Sequence, residues 1–199
     1  MQPAIDAFRV SIARTRHLGG LHDAILSLTT TAIEASDILR AQIVLGVSAM
    51  DYYIHEITIL GMVEVFNGQR PATASFQKFR IPIDSFLGSA ASCGSGWFEA
   101  EIRERHSFLS FQQPEKIADA IRLFSDVKLW QEVGRGMGKT EADIKARLKL
   151  IVDRRNKIAH EADMDPSYPG LRWPITKYDV DGSLDFISQT CECIHSVVI

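Results

Sequence analysis

The chain has 199 residues, of which 46% are hydrophobic and 24% are charged. This length and composition suit one globular domain with a sizeable core and exclude a largely disordered or collagen-like chain. Lys and Arg number 22 against 25 Asp and Glu, a net charge of −3, which excludes a bulk positive field that would hold nucleic acid or an anionic membrane. A polyanionic partner must therefore bind to a local basic patch.

Targeting and redox signals predict a soluble, cytoplasmic protein without a membrane contact. Arginines are scattered through Met1–Leu18, which is unlike a secretory signal. The longest uncharged apolar stretch, Ala41–Met50, has ten residues, whereas a membrane-spanning helix needs about 20. Cys93, Cys191 and Cys193 are too few and too badly spaced for a disulfide framework.

Helical periodicity dominates the first third of the chain. The pattern predicts three helices, over residues 3–18, 21–33 and 36–66. We expect Gly19-Gly20 to separate the first two, Ser36 or Asp37 to cap the third, and Asn67-Gly68 to end it. Because the third helix is apolar on two sides, it is predicted to be central in a bundle or to contact a second subunit as well.

The rest of the chain is predicted to be helical, with two irregular parts. Residues 67–96 are rich in Pro, Ser and Gly and are predicted to be an ordered connection, and residues 164–181 to be a loop. The predicted helices cover residues 97–109, 114–133 and 140–160, followed by a last helix from Asp181 or Ser183 to the C-terminus. Pro114 suits a helix start, and Thr140 with Asp143 resembles a capping box. We therefore predict one all-α domain, residues 1–199, with a long central helix and peripheral helices.

Two further patterns invite a ligand-binding interpretation and are rejected. The string from Gly134 to Thr140 lacks the first glycine of a P-loop and follows a predicted helix instead of a strand, so it is predicted to be a helix–helix turn. Cys191, Cys193 and His195 cannot converge on one metal ion, because Cys193 points about 200° away from Cys191 on a helix. We predict no metal and no cofactor.

A basic patch ends the helix predicted over residues 140–160. Six basic residues occur within thirteen positions with Asp153 as the sole opposing charge: Lys145, Arg147, Lys149, Arg154, Arg155 and Lys157. Arg155 and His160 are separated by about 140° around the helix, whereas Asn156 and His160 share a face. A guanidinium for phosphate oxygens and an imidazole that titrates near neutral pH are what phosphoryl chemistry on RNA needs. A merely solvated helix end is the alternative, particularly for the lysines.

Arg155-x4-His160, with Asn156 directly after the arginine, resembles the R-x4-6-H motif of HEPN domains. These are compact helical bundles found in many prokaryotic toxin and defence ribonucleases. Three stretches are similar to the RiboL-PSP group of HEPN domains in particular: Val47–Glu56, Phe111–Ile117 and Arg154–Glu161. The likeness extends over roughly residues 4–199.

The resemblance implies a homodimeric, metal-independent endoribonuclease whose two motif helices line one cleft. Arg155 and His160 would be catalytic and Asn156 would support them, while the ribose 2′-hydroxyl attacks the adjacent phosphate. Arg154 and Lys157 are predicted to bind the RNA. An antitoxin or another regulatory protein is a further expected partner, but Ala162 replaces a tyrosine that marks control by an adenylyl-transferring antitoxin, so that form of control is not expected.

A second polar group occurs in the long central helix. Asp51, His55 and Glu56 are the ionisable side chains between Arg40 and Glu64. Asp51 and His55 are four residues apart and can pair, whereas Glu56 falls within an apolar stripe. The three residues form either a buried polar network or a support that reaches the motif across the bundle.

Two other functions fit the same residues. The chain could be a HEPN module without turnover that serves in dimerisation, as an antitoxin or in nucleotide sensing. It could also be a helical interaction protein without a nuclease site. In that case Arg155 and His160 only occupy the C-terminal end of a helix, where a histidine interacts favourably with the helix dipole.

Overall fold

A computed structural model describes residues 1–28, 34–89 and 94–199. The described residues form nine helices: α1 Gln2–Leu28, α2 Ser36–Phe66, α3 Ala74–Gln77, α4 Ile83–Ser89, α5 Gly96–His106, α6 Pro114–Arg122, α7 Leu129–Met137, α8 Glu141–His160 and α9 Lys177–Val198. These ranges contain no strand, and one isolated β-bridge joins Met164 to Arg172. The predicted all-α fold is confirmed.

The prediction that Gly19-Gly20 interrupts the first helix is wrong, because α1 continues through both glycines. Gly19 is buried against α2, where an added Cβ would lie 3.2 Å from Gln42 Nε2. The glycine therefore serves close helix packing and does not break the helix. Of the second predicted helix, residues 21–28 belong to α1 and residues 29–33 lie outside the described residues.

A substitution at Gly20 tests the continuity of α1. Gly20 is exposed, and an added Cβ would meet no atom within 4 Å. We expect Gly20→Ala to raise the free energy of unfolding by about 0.5–1 kcal/mol in urea denaturation, because alanine is the better helix former. Gly61→Ala is the control and should destabilise the protein, since its Cβ would clash with the Phe124 ring. A loss of stability in Gly20→Ala would contradict a continuous helix.

Helix α2 is the centre of the bundle, as predicted. It packs against α1, α5, α6, α8 and α9, and its buried face includes Val47, Ile54 and Ile57. Its predicted end is confirmed, since Asn67 is the C-cap and Gly68 has a φ of 72°. Neither Ser36 nor Asp37 is the N-cap, because the helix begins at Ser36 and the cap residue is Ala35, without a side-chain hydrogen bond.

By length and composition, α2 is also apolar enough to cross a membrane. In the bundle, however, 56% of its most apolar window is buried inside the protein. The apolar residues of α2 are thus largely used in packing against the other helices.

The structure corrects several predicted boundaries in the middle of the chain. The connection over residues 67–96 contains α3 and α4, and α5 ends at His106, before the predicted end at residue 109. The helix predicted over residues 114–133 begins correctly at Pro114 but is two helices, α6 and α7. Thr73 Oγ1 donates a hydrogen bond to the Arg122 carbonyl over 2.8 Å and thereby satisfies an acceptor that the end of α6 leaves open.

Threonine residues cap the N-termini of α8 and α9. Thr140 Oγ1 accepts a hydrogen bond from Asp143 N over 3.1 Å, and α8 ends at His160, so both predictions for this helix are confirmed. The last helix begins at Lys177 and not at Asp181 or Ser183, because Thr176 Oγ1 caps it by accepting from Asp179 N. The irregular segment after α8 is correspondingly shorter than predicted.

Candidate active site

The C-terminal end of α8 presents Arg155, Asn156 and His160. Arg155 is half-buried, and its Nη1 donates a hydrogen bond to Asn156 Oδ1 over 3.1 Å. Asn156 and His160 are four residues apart and share a flank of the helix. The hydrogen bond therefore directs the guanidinium towards the flank that carries His160. Without it, the separation of about 140° around the helix would leave Arg155 and His160 on different sides.

The charge of Arg155 is not neutralised within the described part of the chain. No carboxylate there forms an ion pair with it, and its Nε is enclosed without a hydrogen-bond partner. An arginine without a carboxylate partner at a helix end is suited to bind an anion, and its terminal N–H groups can donate to the oxygens of a phosphate.

His160 is the last residue of α8 and is exposed to solvent. The structure gives its imidazole no hydrogen bond to a described residue, so neither ring nitrogen is committed to the fold. Such a group can reach a bound ligand and exchange a proton with it.

A buried ion-pair network lies directly beneath this end of α8. Asp163 is 0% exposed, and its Oδ2 accepts hydrogen bonds from Arg40 Nε at 2.7 Å and from Arg154 Nη2 at 2.8 Å. Arg40 also donates to Ser36 Oγ and, over 2.9 Å, to the Trp173 carbonyl. The network thereby joins the start of α2, the end of α8 and the loop before α9.

The backbone after α8 turns sharply to bring Asp163 into this network. Ala162 and Asp163 have φ values of 52° and 58°, in the left-handed region that non-glycine residues seldom adopt. The Lys157 carbonyl accepts hydrogen bonds from the backbone N–H groups of Glu161 and Asp163, both over 3.0 Å. A conformation of this kind persists where surrounding contacts impose it, and here the two arginines do so.

Arg154 and Lys157 have partners inside the protein. Besides Asp163, Arg154 Nη2 donates to the carbonyls of Trp173 and Pro174, each over 3.2 Å. Burial lowers the pKa of Arg154, and Asp163 opposes that effect. Lys157 Nζ lies 4.8 Å from the centroid of the Trp173 ring, a cation–π contact. Of the two residues predicted to bind RNA, Arg154 is thus held by the fold.

Asp51 and His55 are engaged away from the motif. Asp51 Oδ1 accepts a hydrogen bond from Phe111 N over 2.6 Å, and its Oδ2 accepts one from Gln112 Nε2 over 2.9 Å. His55 Nε2 lies 3.8 Å from Asp51 Oδ1, and the His55 ring is 4.4 Å from that of Phe111. These contacts tie α2 to the loop before α6.

Glu56 forms its own ion pair, with Arg103 of α5, at 2.6 Å. Ile43 of α2 lies near the motif helix, because it lines a small cavity together with Arg154. Asp51 is eight residues further along α2, which corresponds to about 12 Å along the helix axis. None of the three acidic or imidazole groups contacts Arg155 or His160. Asp51 and His55 thus belong to one polar cluster and Glu56 to another, and neither cluster is joined to the motif by a described contact.

No group of three His, Cys, Asp or Glu side chains in residues 1–28, 34–89 and 94–199 could hold a metal ion. Cys191 is fully buried in α9, and burial raises the pKa of its thiol well above the ordinary value. His195 is also buried, and burial lowers its pKa. These side chains serve as core residues of α9.

Sequence reasoning missed Arg40, Asp163 and Trp173. The position of Arg40 in the first turns of an apolar helix could have indicated the ion pair. An arginine that is buried among apolar residues needs a partner for its charge. Asp163 follows the basic patch closely in sequence, which made it a candidate for that partner. The left-handed turn that aims its carboxylate inward could not be foreseen from the residue types.

The all-α bundle agrees with the fold of HEPN domains, and Arg155 and His160 lie at the end of its helix α8. A sequence model of the RiboL-PSP-HEPN family matches residues 11–199, and the chain belongs to this family. No curated protein and no solved structure matches the chain. Family membership supports a HEPN-type role connected with RNA.

Proposed function

We propose that the protein is a metal-independent endoribonuclease that cleaves RNA at the end of α8. The observation that carries the proposal is the Arg155–Asn156 hydrogen bond, which directs an arginine without a carboxylate partner to the flank of an exposed histidine. A phosphodiester placed on this flank would meet a guanidinium and an imidazole together. The role is of the toxin or defence type, in the cytoplasm, and an antitoxin or another regulatory protein is a candidate partner.

The proposed reaction uses the RNA's own 2′-hydroxyl as the nucleophile. A bond forms between the 2′-oxygen and phosphorus while the bond from phosphorus to the 5′-oxygen breaks, which leaves a 2′,3′-cyclic phosphate and a 5′-hydroxyl. His160 accepts the proton of the 2′-hydroxyl or donates one to the leaving 5′-oxygen. Arg155 stabilises the negative charge that grows on the phosphorane oxygens.

Other charges near the site favour an RNA backbone. Arg40 and Arg154 share the carboxylate of Asp163. Asp37, whose Oδ1 lies 3.8 Å from Arg40 Nη1, also pairs with Arg172, so three arginines face two carboxylates and leave one net positive charge. Lys157 lies on the same helix end and has no carboxylate partner among the described residues. These positive charges give the site a local attraction for RNA although the net charge of the chain is negative. We assign the RNA contact to Lys157 and Arg155, because Arg154 is already bound within the protein.

We further propose that two copies of the chain form the cleft. The outer face of α2, the helix against which α8 packs, exposes 45% of Leu45 and 54% of Tyr52. Exposed apolar side chains on a helix that packs against α8 suit a contact with a second copy. A two-fold arrangement would supply two His160 side chains to one cleft, one to accept a proton and one to donate it.

The decisive experiment compares two oligonucleotides of the same sequence in EDTA, one of RNA and one with 2′-deoxyribose throughout. We expect the purified protein to cut the RNA and to leave the 2′-deoxy strand intact, because the latter lacks the nucleophile. The products should carry 2′,3′-cyclic phosphate and 5′-hydroxyl ends, which are identified by mass spectrometry. Cleavage of the deoxy strand, or a need for a divalent metal, would refute the proposed chemistry.

One observation favours the alternative of a HEPN module without turnover. The imidazole of His160 forms no hydrogen bond with a described residue, whereas a catalytic histidine is commonly oriented by a neighbouring group. If RNA is bound but not cut in the experiment above, a role in dimerisation, as an antitoxin or in nucleotide sensing is the better description.

A further inference from the structure

The end of α5, the following loop and α6 form a cavity. Its volume is about 540 Å³, and small-molecule sites range over about 300–1,000 Å³. Phe79, Phe111 and Leu123 provide apolar walls, and the ring of Phe108 at the cavity is 92% exposed. No residue of α8 lines it, so its contents are independent of the proposed nuclease site.

One wall of the cavity carries a polar group that the protein does not satisfy. His106 is 4% exposed, and its Nδ1 has no hydrogen-bond partner among the described residues. The imidazole is surrounded by the rings of Phe79, Phe111 and His55, at centroid distances of 6.1, 5.5 and 6.4 Å. Burial, with a smaller contribution from His55, lowers the pKa of His106 to about 4. The ring is therefore neutral near pH 7 and retains one N–H donor.

The charged side chains around the cavity leave one cation uncompensated. Arg105 is paired with Glu101 at 2.5 Å. Asp119 is paired with Arg122, also at 2.5 Å. Lys116 is exposed and forms no ion pair in the described part of the chain. The cavity thus combines apolar walls, a neutral donor and one free positive charge.

We propose that this cavity binds a small apolar carboxylate. The hydrocarbon body packs against Phe79 and Phe111, and the carboxylate pairs with Lys116. The neutral imidazole of His106 lines the same cavity and can donate its N–H to the carboxylate. Binding of a phosphate is disfavoured, because its charge is larger and strongly hydrated. Moving it between apolar walls would remove that hydration, and a single free cation would have to offset the cost.

Two dyes with the same ring system test the proposal in the full-length protein. 8-Anilinonaphthalene-1-sulfonate carries one negative charge, and N-phenyl-1-naphthylamine is its uncharged counterpart. We expect the anionic dye to bind with a stoichiometry of one per chain, followed by fluorescence, and decanoate to displace it. Lys116→Glu should weaken binding of the anionic dye about tenfold or more and leave binding of the uncharged dye unchanged, since the variant replaces the ion pair by repulsion between like charges and keeps the apolar walls.

Further variants complete the test. Lys149→Glu changes an exposed lysine of α8 in the same way and should leave both dyes unaffected. Leu123→Trp fills the cavity and should abolish binding of both dyes while circular dichroism shows an unchanged fold. Binding of the anionic dye by Lys116→Glu at wild-type strength, binding of either dye by folded Leu123→Trp, or failure of decanoate to displace the dye would overturn the proposal. Because nuclease activity is not read in this assay, failure of the proposed function does not affect it.

Discussion

Asp163→Asn is expected to lower the free energy of unfolding by about 3–5 kcal/mol, the effect of removing one partner from a buried ion pair. The carboxylate is enclosed and binds Arg40, which is itself 6% exposed, at 2.7 Å; the other carboxylate near Arg40 is that of Asp37, which is exposed and lies 3.8 Å from Arg40 Nη1. Without Asp163, Arg40 keeps only this longer, solvent-exposed ion pair to neutralise its buried charge. Urea denaturation of the variant and the wild type measures the difference.

Asparagine is the informative replacement because it separates charge from backbone conformation. Asp163 has a φ of 58°, which asparagine adopts readily and alanine does not. The amide also keeps the size of the side chain and one acceptor oxygen. The expected loss in Asp163→Asn thus arises from the charge, whereas Asp163→Ala would add backbone strain and a cavity.

A double-mutant cycle identifies the partner. If Asp163 acts by neutralising Arg40, then Arg40→Met should cost much less in the Asp163→Asn background than in the wild type, since residues of one network are not additive. Asp126→Asn is the matched control, because Asp126 is exposed and forms no ion pair with a described residue. A loss below about 0.5 kcal/mol in Asp163→Asn, the size of an ordinary surface substitution, would show that the network does not stabilise the fold.

The sequence predicted those parts of the fold that local chemistry determines. The cap at Thr140, the helix start at Pro114 and the end of α2 at Asn67-Gly68 depend on residues within one turn of each other, and all three are confirmed. Gly19 was misinterpreted because its role is set by Gln42 on another helix. The division of residues 114–133 into two helices was missed for a similar reason, since its stabilising hydrogen bond comes from Thr73.

For the candidate site, the motif placed Arg155 and His160 on one helix end, and α8 ends at His160 as predicted. The sequence could not distinguish Arg154 from Arg155, which are neighbours of the same residue type. They differ by about 100° around the helix, so that one faces the buried carboxylate of Asp163 and the other remains without an anion. That distinction depends on Arg40 and on the loop before α9, which lie far from the motif in sequence.

Replacing His160 or Arg155 should abolish RNA cleavage with little change in stability. We expect His160→Ala to lower kcat by about 10²–10⁴-fold, the range for loss of a general acid or base. Arg155→Ala should lower it by about 10²–10³-fold, as for removal of one donor to a developing oxyanion. Arg155→Lys should recover part of the loss, because it keeps the charge but not the fork that binds two phosphate oxygens.

The chain supplies matched controls for both residues. Arg14 and His17 are exposed on α1, and Arg14→Ala and His17→Ala should cleave RNA like the wild type. Asn156→Ala should lower kcat more modestly, since it removes the hydrogen bond that turns Arg155 towards His160 but no group that contacts the phosphate. Initial rates over a range of RNA concentrations separate kcat from KM, and thermal unfolding shows whether each variant is folded. Wild-type cleavage by folded His160→Ala and Arg155→Ala together would end the enzyme interpretation, because the proposed reaction depends on these two side chains.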